Sequence, residues 1–492
     1  MMTTPVSASL LQLLRGYGEA IPDVRVSGVQ MDSRRVAPGD LFLACQGHGQ
    51  HGLRYLDQAL NNGAVAVAWE PAQEWSRAAI NIPNVAVERL THRVGEIAAR
   101  FFREPTRQIM TIGITGTDGK TSTAWLLAQA LEHLGRPCAY LGTLGYGRIG
   151  QLQTATHTTP DPVSLQQQFA RLRDEGVTAA AMEVSSHALD QDRVAGVNFR
   201  AVILTNITRD HLDYHGTVEN YAAAKRKLFE REDVQALIFN RDDVYGARWA
   251  SEFPKATVYG LDGVTPKAGQ YVLGRELQLH SAGISFTIES SWGSGVLQSR
   301  LLGRFNAYNL LAALAAILHS GVSLENALTA LSKVGTVPGR IEAYRGDKAA
   351  PLVVVDYAHT PQALEQILKA VRAHTTGKLW CVFGCGGDRD RGKRPLMAAV
   401  AAAFADAVVI TDDNPRSESP AAVIAEIKAG LPTGYVAQVI HDRAEAIASA
   451  VKRAGANDAV VVAGKGHEET QTYGAEVRRF SDREFVAQLV NG

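Results

Sequence analysis

Residues 111–122 read TIGITGTDGKTS, and this run constrains the fold more than any other part of the chain. A short apolar stretch enters a glycine turn, Lys120 and Thr121 follow, and the sequence continues as AWLLAQALEHLG, a helical pattern. Gly116 and Gly119 let the backbone curl until its N–H groups face inward on an anion. The start of the helix adds partial positive charge at the same place. Lys120, the one lysine presented by the glycine loop, is placed to reach β- and γ-phosphates. The Thr121 hydroxyl is placed to ligate Mg²⁺. The guest these groups call for is a nucleoside triphosphate. A strand, a phosphate loop and a helix in that order predict a parallel α/β sheet.

The chain has 492 residues, room for about three domains. The expected class is α/β throughout. Residues 1–105 hold short strands (VSGVQMD, GDLFLAC, AVAVAW, VAVE) with helices between them, a small N-terminal α/β domain. Residues 106–335 form a central P-loop-type domain on a parallel sheet, with strands predicted at 178–186, 199–207 and 235–243. Alternating residues from 257 to 303 predict an antiparallel appendage. After the Val337-Pro338-Gly339-Arg340 linker, residues 336–492 read as a Rossmann-like α/β domain. Its four apolar strands, LVVVD, LWCVFG, AVVIT and AVVVA, each end in a polar or glycine-rich turn, as parallel strands facing a ligand crevice do.

Fifty Lys and Arg against fifty Asp and Glu leave no excess of positive charge, so nucleic acid is not favoured as a partner. The cysteines, Cys45, Cys138, Cys381 and Cys385, lack zinc spacing and read as free thiols of a reducing cytoplasm. The N-terminus shows no signal peptide pattern. The most apolar region, AAVAAAFADAVVI, is broken by Asp406 and is too short for a membrane span. A monomer is expected.

Glu183, at the end of one predicted strand, and His211, just after the next, stand beside the phosphate loop. With Thr121 and phosphate oxygens they can complete a Mg²⁺ site. Each alone is more readily a surface or hydrogen-bonding group than a metal ligand.

The spacing of the loop departs from the usual P-loop, because neither Gly113 nor Gly116 is separated from Gly119-Lys120 by four residues. Gly116-Thr117-Asp118-Gly119-Lys120-Thr121 instead resembles the loop of the Mur ligase and folylpolyglutamate synthetase superfamily, with Asp118 where Asn is usual. The strings MEVSSH at 182–187, NITRDHLDYHG at 206–216 and DYAHTP at 356–361 extend the resemblance over nearly the whole chain. The chain is thereby identified as a member of the Mur ligase family. In particular it resembles the branch that adds the third residue of the peptidoglycan stem peptide.

The resemblance implies an ATP-dependent, acyl-phosphate-forming ligase of the cytoplasm. Its small-molecule substrates would be UDP-N-acetylmuramoyl-dipeptide, ATP and meso-diaminopimelate. It implies two Mg²⁺ ions and a carbamate on Lys225, whose CO₂ adduct turns a cation into a bidentate oxygen ligand; Lys227 lies close by. ATP would be held by Gly116, Thr117, Asp118, Gly119, Lys120, Thr121, Ser122, Asn306, Asn309, Arg340 and Asp356. Lys120, Lys225, Arg340 and His359 would act in catalysis, although His359 fits a structural hydrogen-bonder equally well. The UDP-sugar substrate is expected at Met31, Asp32, Ser33, His48, Gly49, Gln50, His157, Thr158, Thr159, Ser185, Gln191 and Arg193. The metal ligands would be Thr121, Glu183, His211 and carbamylated Lys225.

Asp413-Asn414-Pro415-Arg416 resembles the string that selects meso-diaminopimelate over L-lysine. The extra carboxylate of diaminopimelate suits a bidentate guanidinium such as Arg416, and Asn414 adds amide hydrogen bonds. Arg389, Gly464 and Glu468 complete that pocket, with Glu468 for the distal ammonium. Two other readings stand beside this one. One is a sibling ligase that adds L-lysine or another residue, or a folylpolyglutamate synthetase. The other is a P-loop switch that binds nucleotide without ligation.

Overall fold

The computed structural model describes residues 7–47, 49–75, 80–155, 157–267, 269–346 and 350–491. It divides into two compact units, one of residues 1–260, 266–271 and 312–322, the other of residues 261–265, 272–311 and 323–492.

The first unit contains two parallel sheets. The smaller has four strands in chain order, Gly28–Gln30, Asp40–Ala44, Ala66–Trp69 and Asn84–Ala86. Its two middle strands are buried at every position, because apolar groups cover both faces. Leu41, Leu43, Ala66 and Ala68 pack on Val94, Ile97 and Phe101 of the Leu90–Phe101 helix. Phe42, Ala44, Val67 and Trp69 point to the opposite side, with Leu53 and Ala59. This alternation is the two-residue period of a strand.

The larger sheet of this unit runs Ala256–Leu261, Ala236–Asn240, Phe199–Leu204, Met110–Thr115, Ala179–Glu183, Cys138–Gly142, Gly145–Arg148 from one side to the other. All neighbours are parallel except the last pair, an antiparallel hairpin. Ile112 lies opposite both Ala181 and Ala201. The phosphate-loop strand is therefore flanked by the strands that end at Glu183 and Leu204, and all three deliver their C-termini to one place, where parallel sheets bind ligands.

The predicted strands at 178–186, 199–207 and 235–243 stop about three residues early. Polar residues leave the ladder there for local bonds. The Ser185 hydroxyl caps the Ser186–Asp190 helix, and Asp243 caps Val244–Glu252.

The second unit begins with the expected antiparallel strands, Gln270–His280, Gly283–Ser290 and Gly293–Ser299. Its main sheet has the order Glu342–Tyr344, Leu352–Asp356, Ala459–Ala463, Leu379–Phe383, Ala407–Ile410, Gln438–Val439, and only the first strand is antiparallel. Helices Pro361–Arg372, Lys393–Phe404 and Pro420–Lys428 cover one face. Helices Arg443–Arg453 and Asp482–Asn491 cover the other.

Asp356 is paired with Ala463, Ala463 with Phe383, and Phe383 with Ile410. Four strand tips thus form a level row from which the polar turns emerge. A hairpin of Thr470–Tyr473 and Glu476–Arg479 stands beside them and is bridged at Tyr473 to Arg416. No helix among the described residues is long and apolar enough to cross a membrane.

Candidate active site

The phosphate loop is held open by its neighbours rather than by itself. Gly116 has φ 147° and Gly119, at the helix N-cap, has φ 81°. A Cβ on Gly116 would fall 1.9 Å from the Thr205 hydroxyl, so a side chain has no room there. Asn206 grips the loop three times. Its carbonyl accepts from the Thr117 N–H at 2.8 Å, its Oδ1 accepts from the Asp118 N–H at 3.0 Å, and its Nδ2 donates to the Asp118 carbonyl at 3.1 Å. Thr205 adds a hydroxyl bond to that same carbonyl at 2.6 Å. Asp118 and the half-buried Ser122 follow the loop as expected, and the Asp118 side chain is exposed.

Two lysines, not one, meet at this loop. Lys120 Nζ donates to the carbonyls of Gly116 at 2.9 Å and Thr117 at 2.7 Å. Lys225, only 1% exposed, donates to the same Gly116 carbonyl at 2.8 Å and lies over the Tyr221 ring. The expectation that Lys120 alone serves the loop is corrected here. Burial lowers the pKa of both ammonium groups, and for Lys225, which is pushed well below the ordinary lysine value, the neighbouring Lys120 charge adds to the effect.

Glu183 is fully buried. Its Oε2 accepts from the Thr121 hydroxyl at 3.0 Å and from the Thr143 hydroxyl at 3.3 Å. Its Oε1 accepts from the Thr143 N–H at 3.0 Å and from the Tyr140 hydroxyl. Burial, then the Glu183 charge, raise the Tyr140 pKa and keep that phenol a donor.

Thr121 and Glu183 are hard oxygen donors side by side at the helix start, which fits Mg²⁺. Among the described residues no three His, Cys, Asp or Glu side chains converge as a metal cage. Such a partial protein shell suits a cation that keeps phosphate and water oxygens as ligands. His211 is exposed in a left-handed turn (φ 51°), with its ring 4.9 Å from that of His187 and 6.1 Å from that of Tyr221. Burial and the charges of His211 and His215 lower the His187 pKa.

Next to Glu183 a polar chain links most of the expected sugar-peptide residues. The Thr159 hydroxyl donates to the Glu183 carbonyl and accepts from the Ser185 N–H. The Thr159 carbonyl accepts from Arg193 at 2.9 Å, and Arg193 also binds Gln191 Oε1. Thr158 shares a hydroxyl bond with Thr143, and His157 is exposed.

A cavity of about 590 Å³ in the same unit is lined by Met31, Asp32, Ser33, Gly47, Gln50 and Asp161, among others. Ser33 Oγ donates to Gln58, and the Tyr55 hydroxyl donates to Gln50. Arg35 reaches Ser164 from this wall. Cys45 also lines it, and burial pushes its thiol up to about 12. Gly49, next to the cavity-lining Gln50, is exposed, and His48 lies outside the described residues.

In the second unit, Asn306 and Asn309 are buried at the start of a helix. Asn306 Nδ2 donates to the Leu302 carbonyl and Asn309 Nδ2 to Asn306 Oδ1. Arg340 is exposed, with its guanidinium 5.3 Å from the Tyr357 ring centre. Asp356 accepts from the N–H groups of Ile341 and Ala358, and burial raises its pKa. His359 is exposed and its Nδ1 is 3.0 Å from the Tyr357 carbonyl.

The residues expected to hold the acceptor amino acid emerge from adjacent strand tips. Arg416 sits at φ 52°, and its NH1 donates to the Gly387 carbonyl at 2.7 Å. Asn414 Nδ2 donates to Glu468 Oε2 at 2.8 Å. A Cβ on Gly464 (φ 117°) would fall 2.7 Å from Asp413 Oδ2. Pro415 is buried and Arg389 is exposed at the rim.

Beneath these turns, Arg443 is fully buried. It pairs with Asp482 through two bonds of 2.7 Å and donates to the Ala463 and Asp412 carbonyls, bracing two of the tips. Sequence reasoning missed Arg443, Asn206, Tyr140, Thr143 and Lys465. For Lys465 a signal existed, since it stands between two glycines in the turn already singled out.

Sequence models of the Mur ligase family match three segments. These are the "Mur ligase family, catalytic domain" over residues 25–102, the "Mur ligase middle domain" over 114–317, and the "Mur ligase, glutamate ligase domain" over 339–466. The chain belongs to the Mur ligase family. It is 46% identical over 479 residues to the UDP-N-acetylmuramoyl-L-alanyl-D-glutamate--2,6-diaminopimelate ligase of Coxiella burnetii, covering 96% of this chain and 98% of that protein. It is 48% identical over 479 residues to the protein of the same name from Alkalilimnicola ehrlichii, covering 95% of each. A solved structure of a ligase with that name superposes with a TM-score of 0.80 at 36% identity, covering 98% of this chain and 99% of the other.

Proposed function

We propose that this Mur ligase uses ATP to join an amino group of meso-2,6-diaminopimelate to the D-glutamate γ-carboxylate of UDP-N-acetylmuramoyl-L-alanyl-D-glutamate, a step of peptidoglycan synthesis. One observation carries the reading. The turn of Asn414–Arg416 and the turn of Glu468 leave level strand tips and are joined where Asn414 Nδ2 donates to Glu468 Oε2, so a guanidinium and a carboxylate are both carried there, as an amino acid with its own charged far end requires. The near-full-length relatives with that activity in their names support it.

The γ-carboxylate attacks the γ-phosphorus of ATP, ADP leaves, and an acyl phosphate forms. The acceptor amine then attacks the acyl carbon, loses a proton, and phosphate departs as the amide forms. No protein nucleophile is needed. The loop N–H groups and Lys120 hold the phosphates and stabilise charge as it moves to ADP. Mg²⁺ held by Thr121, Glu183 and His211, with a second ion at a Lys225 carbamate, would neutralise the crowded phosphate oxygens. Arg340 supplies charge to the phosphoryl group, Asp356 and His359 lie on the same tips, and Asn306 and Asn309 serve the adenine side.

Met31, Ser33, Gly49 and Gln50 take the uridine end. Thr158, Thr159, Ser185, Gln191 and Arg193 take the muramoyl-peptide end. Arg416 grips the distal carboxylate of diaminopimelate and Glu468 its ammonium, with Arg389, Asp413 and Gly464 closing the pocket. Residues 1–105, 106–335 and 336–492 act as the UDP-sugar, ATP and amino-acid domains of a cytoplasmic monomer.

The test is phosphate release and product mass with the UDP-muramoyl-dipeptide, ATP and Mg²⁺, with and without meso-diaminopimelate or L-lysine. Acceptor-dependent release with diaminopimelate is expected. Release indifferent to any acceptor points to a nucleotide switch, and a preference for lysine points to a sibling ligase; either result overturns the proposal.

A further inference from the structure

The turn that supplies Gly464 and Glu468 also contains a cation with no part in the scheme above. Lys465 is fully buried. Its Nζ donates to the Thr470 carbonyl at 2.6 Å, to Glu468 Oε2 at 3.0 Å and to Asn414 Oδ1 at 3.4 Å. An ammonium taken out of water is tolerated when each of its three protons finds an oxygen, and here each does. The bonds close into a ring, because Glu468 Oε2 also accepts from Asn414 Nδ2. Asn414 Oδ1 accepts in addition from the Thr472 N–H at 3.0 Å, which fixes which end of the amide faces which partner.

The ring consumes one oxygen of Glu468 and leaves the other. Oε1 makes no hydrogen bond among the described residues, while the side chain remains a third exposed. A carboxylate on a turn at that exposure, tied by a single amide, rotates freely and offers its oxygens in many directions. Tied by a buried ammonium as well, it offers one oxygen in one direction, and that restriction is what preorganised recognition needs.

Resting on the ligase reading, we propose that Lys465 is a positioning residue for the acceptor amino acid. It locks Glu468 and Asn414 so that Glu468 Oε1 is the single carboxylate oxygen presented to the distal ammonium of the acceptor. The alternative is that Lys465 only ties the turn to the Thr470 carbonyl, in which case its loss disturbs folding and leaves acceptor recognition unchanged.

The experiment is steady-state kinetics on the full-length K465M, E468Q and K465M/E468Q variants beside wild type, with each substrate varied in turn. A lost charge-assisted bond predicts that K465M raises the KM for meso-diaminopimelate by about 10- to 100-fold. The KM values for ATP and the UDP-muramoyl-dipeptide should stay unchanged, and kcat should move little. In the double variant, K465M should add nothing to the acceptor KM of E468Q, because the two act through one contact.

An unchanged acceptor KM in K465M overturns the proposal, as does a double variant showing the product of the two single effects. If K465M alone does not fold, K465Q, which keeps a neutral donor for the Thr470 carbonyl but removes the positive charge beside Glu468, supplies the comparison with wild type. Wild type that ligates no amino acid sinks the ligase reading. Wild type active on diaminopimelate, with K465M equal to it, sinks only the role of Lys465.

Discussion

Replacing Lys225 with Met should inactivate the enzyme and, in buffer free of CO₂, make it more stable. Both lysine ammonium nitrogens lie within 3 Å of the Gly116 carbonyl oxygen, so they are less than about 6 Å apart. At an effective dielectric constant near 20 that separation corresponds to roughly 3 kcal/mol of repulsion. Met removes the repulsion and the cost of burying a charge. It also forfeits one charged hydrogen bond of about 1.5–3 kcal/mol. The Gly116 carbonyl is not orphaned, because Lys120 still donates to it. With desolvation of a buried ion costing several kcal/mol on top of the repulsion, the net gain is about 2–6 kcal/mol. That is a rise in melting temperature of roughly 4–12 °C.

The pH dependence has a definite sign. The folded-state pKa of Lys225 lies well below its ordinary value of 10.5, so between the two the unfolded chain binds more protons and stability of the wild type rises with pH. The advantage of K225M is therefore full below the lowered pKa and gone above 10.5. Bicarbonate should raise the melting temperature of wild type, since a carbamate replaces repulsion of Lys120 with attraction, and should leave K225M unmoved. The assay is thermal unfolding of both proteins from pH 7 to 10.5, with and without bicarbonate. K225M melting below wild type at pH 7 without CO₂, or bicarbonate shifting both proteins alike, refutes the reasoning.

Gly116→Ala forces a Cβ to within 1.9 Å of the Thr205 hydroxyl at a φ that disfavours side chains; ATP binding by calorimetry should be lost while the circular dichroism spectrum stays native. Glu183→Gln places an amide NH₂ among the donors of Thr121, Thr143 and Tyr140, so it should cost about 1–3 kcal/mol in denaturant unfolding and abolish ligation. Arg416→Ala should lower kcat/KM for diaminopimelate by about 30- to several-thousand-fold with ATP affinity unchanged. Arg416→Lys should recover little of that, since an ammonium lacks the bidentate fork.

The phosphate loop was legible because it is local. Its glycines, Lys120 and Thr121 lie within six residues, and the conformations they need are properties of those residues themselves. The parallel strands were legible as unbroken apolar runs, and the antiparallel strands of 270–299 as alternation. What stayed hidden is how distant residues share single atoms. Lys225 reaches a carbonyl 109 positions away, Tyr140 and Glu183 meet across 43, and Lys465 closes on Asn414 across 51. No short-range pattern encodes such meetings, because the sheet register sets them. The strand ends were overrun for a related reason: Ser185, Asn206 and Asp243 look permissive for a strand but spend their hydrogen bonds on caps and on the loop.

The Thr470–Arg479 hairpin bears on any attempt to move acceptor choice between ligases. The Arg416 N–H donates to the Thr472 carbonyl, the Gly474 N–H donates to the Arg416 carbonyl, and Gln471 Nε2 reaches the carbonyls of Asp412 and Asp413. The left-handed backbone of Arg416 is thus imposed from outside its own turn. A transplanted Asp-Asn-Pro-Arg tetrapeptide arrives without that scaffold, and its guanidinium then has no fixed bearing. If the Asp413–Arg416 turn selects the acceptor as proposed, the unit to move is that turn together with the hairpin some sixty positions downstream. Chimaeras that exchange 412–417 and 465–480 as one cassette should transfer the preference where the tetrapeptide alone fails.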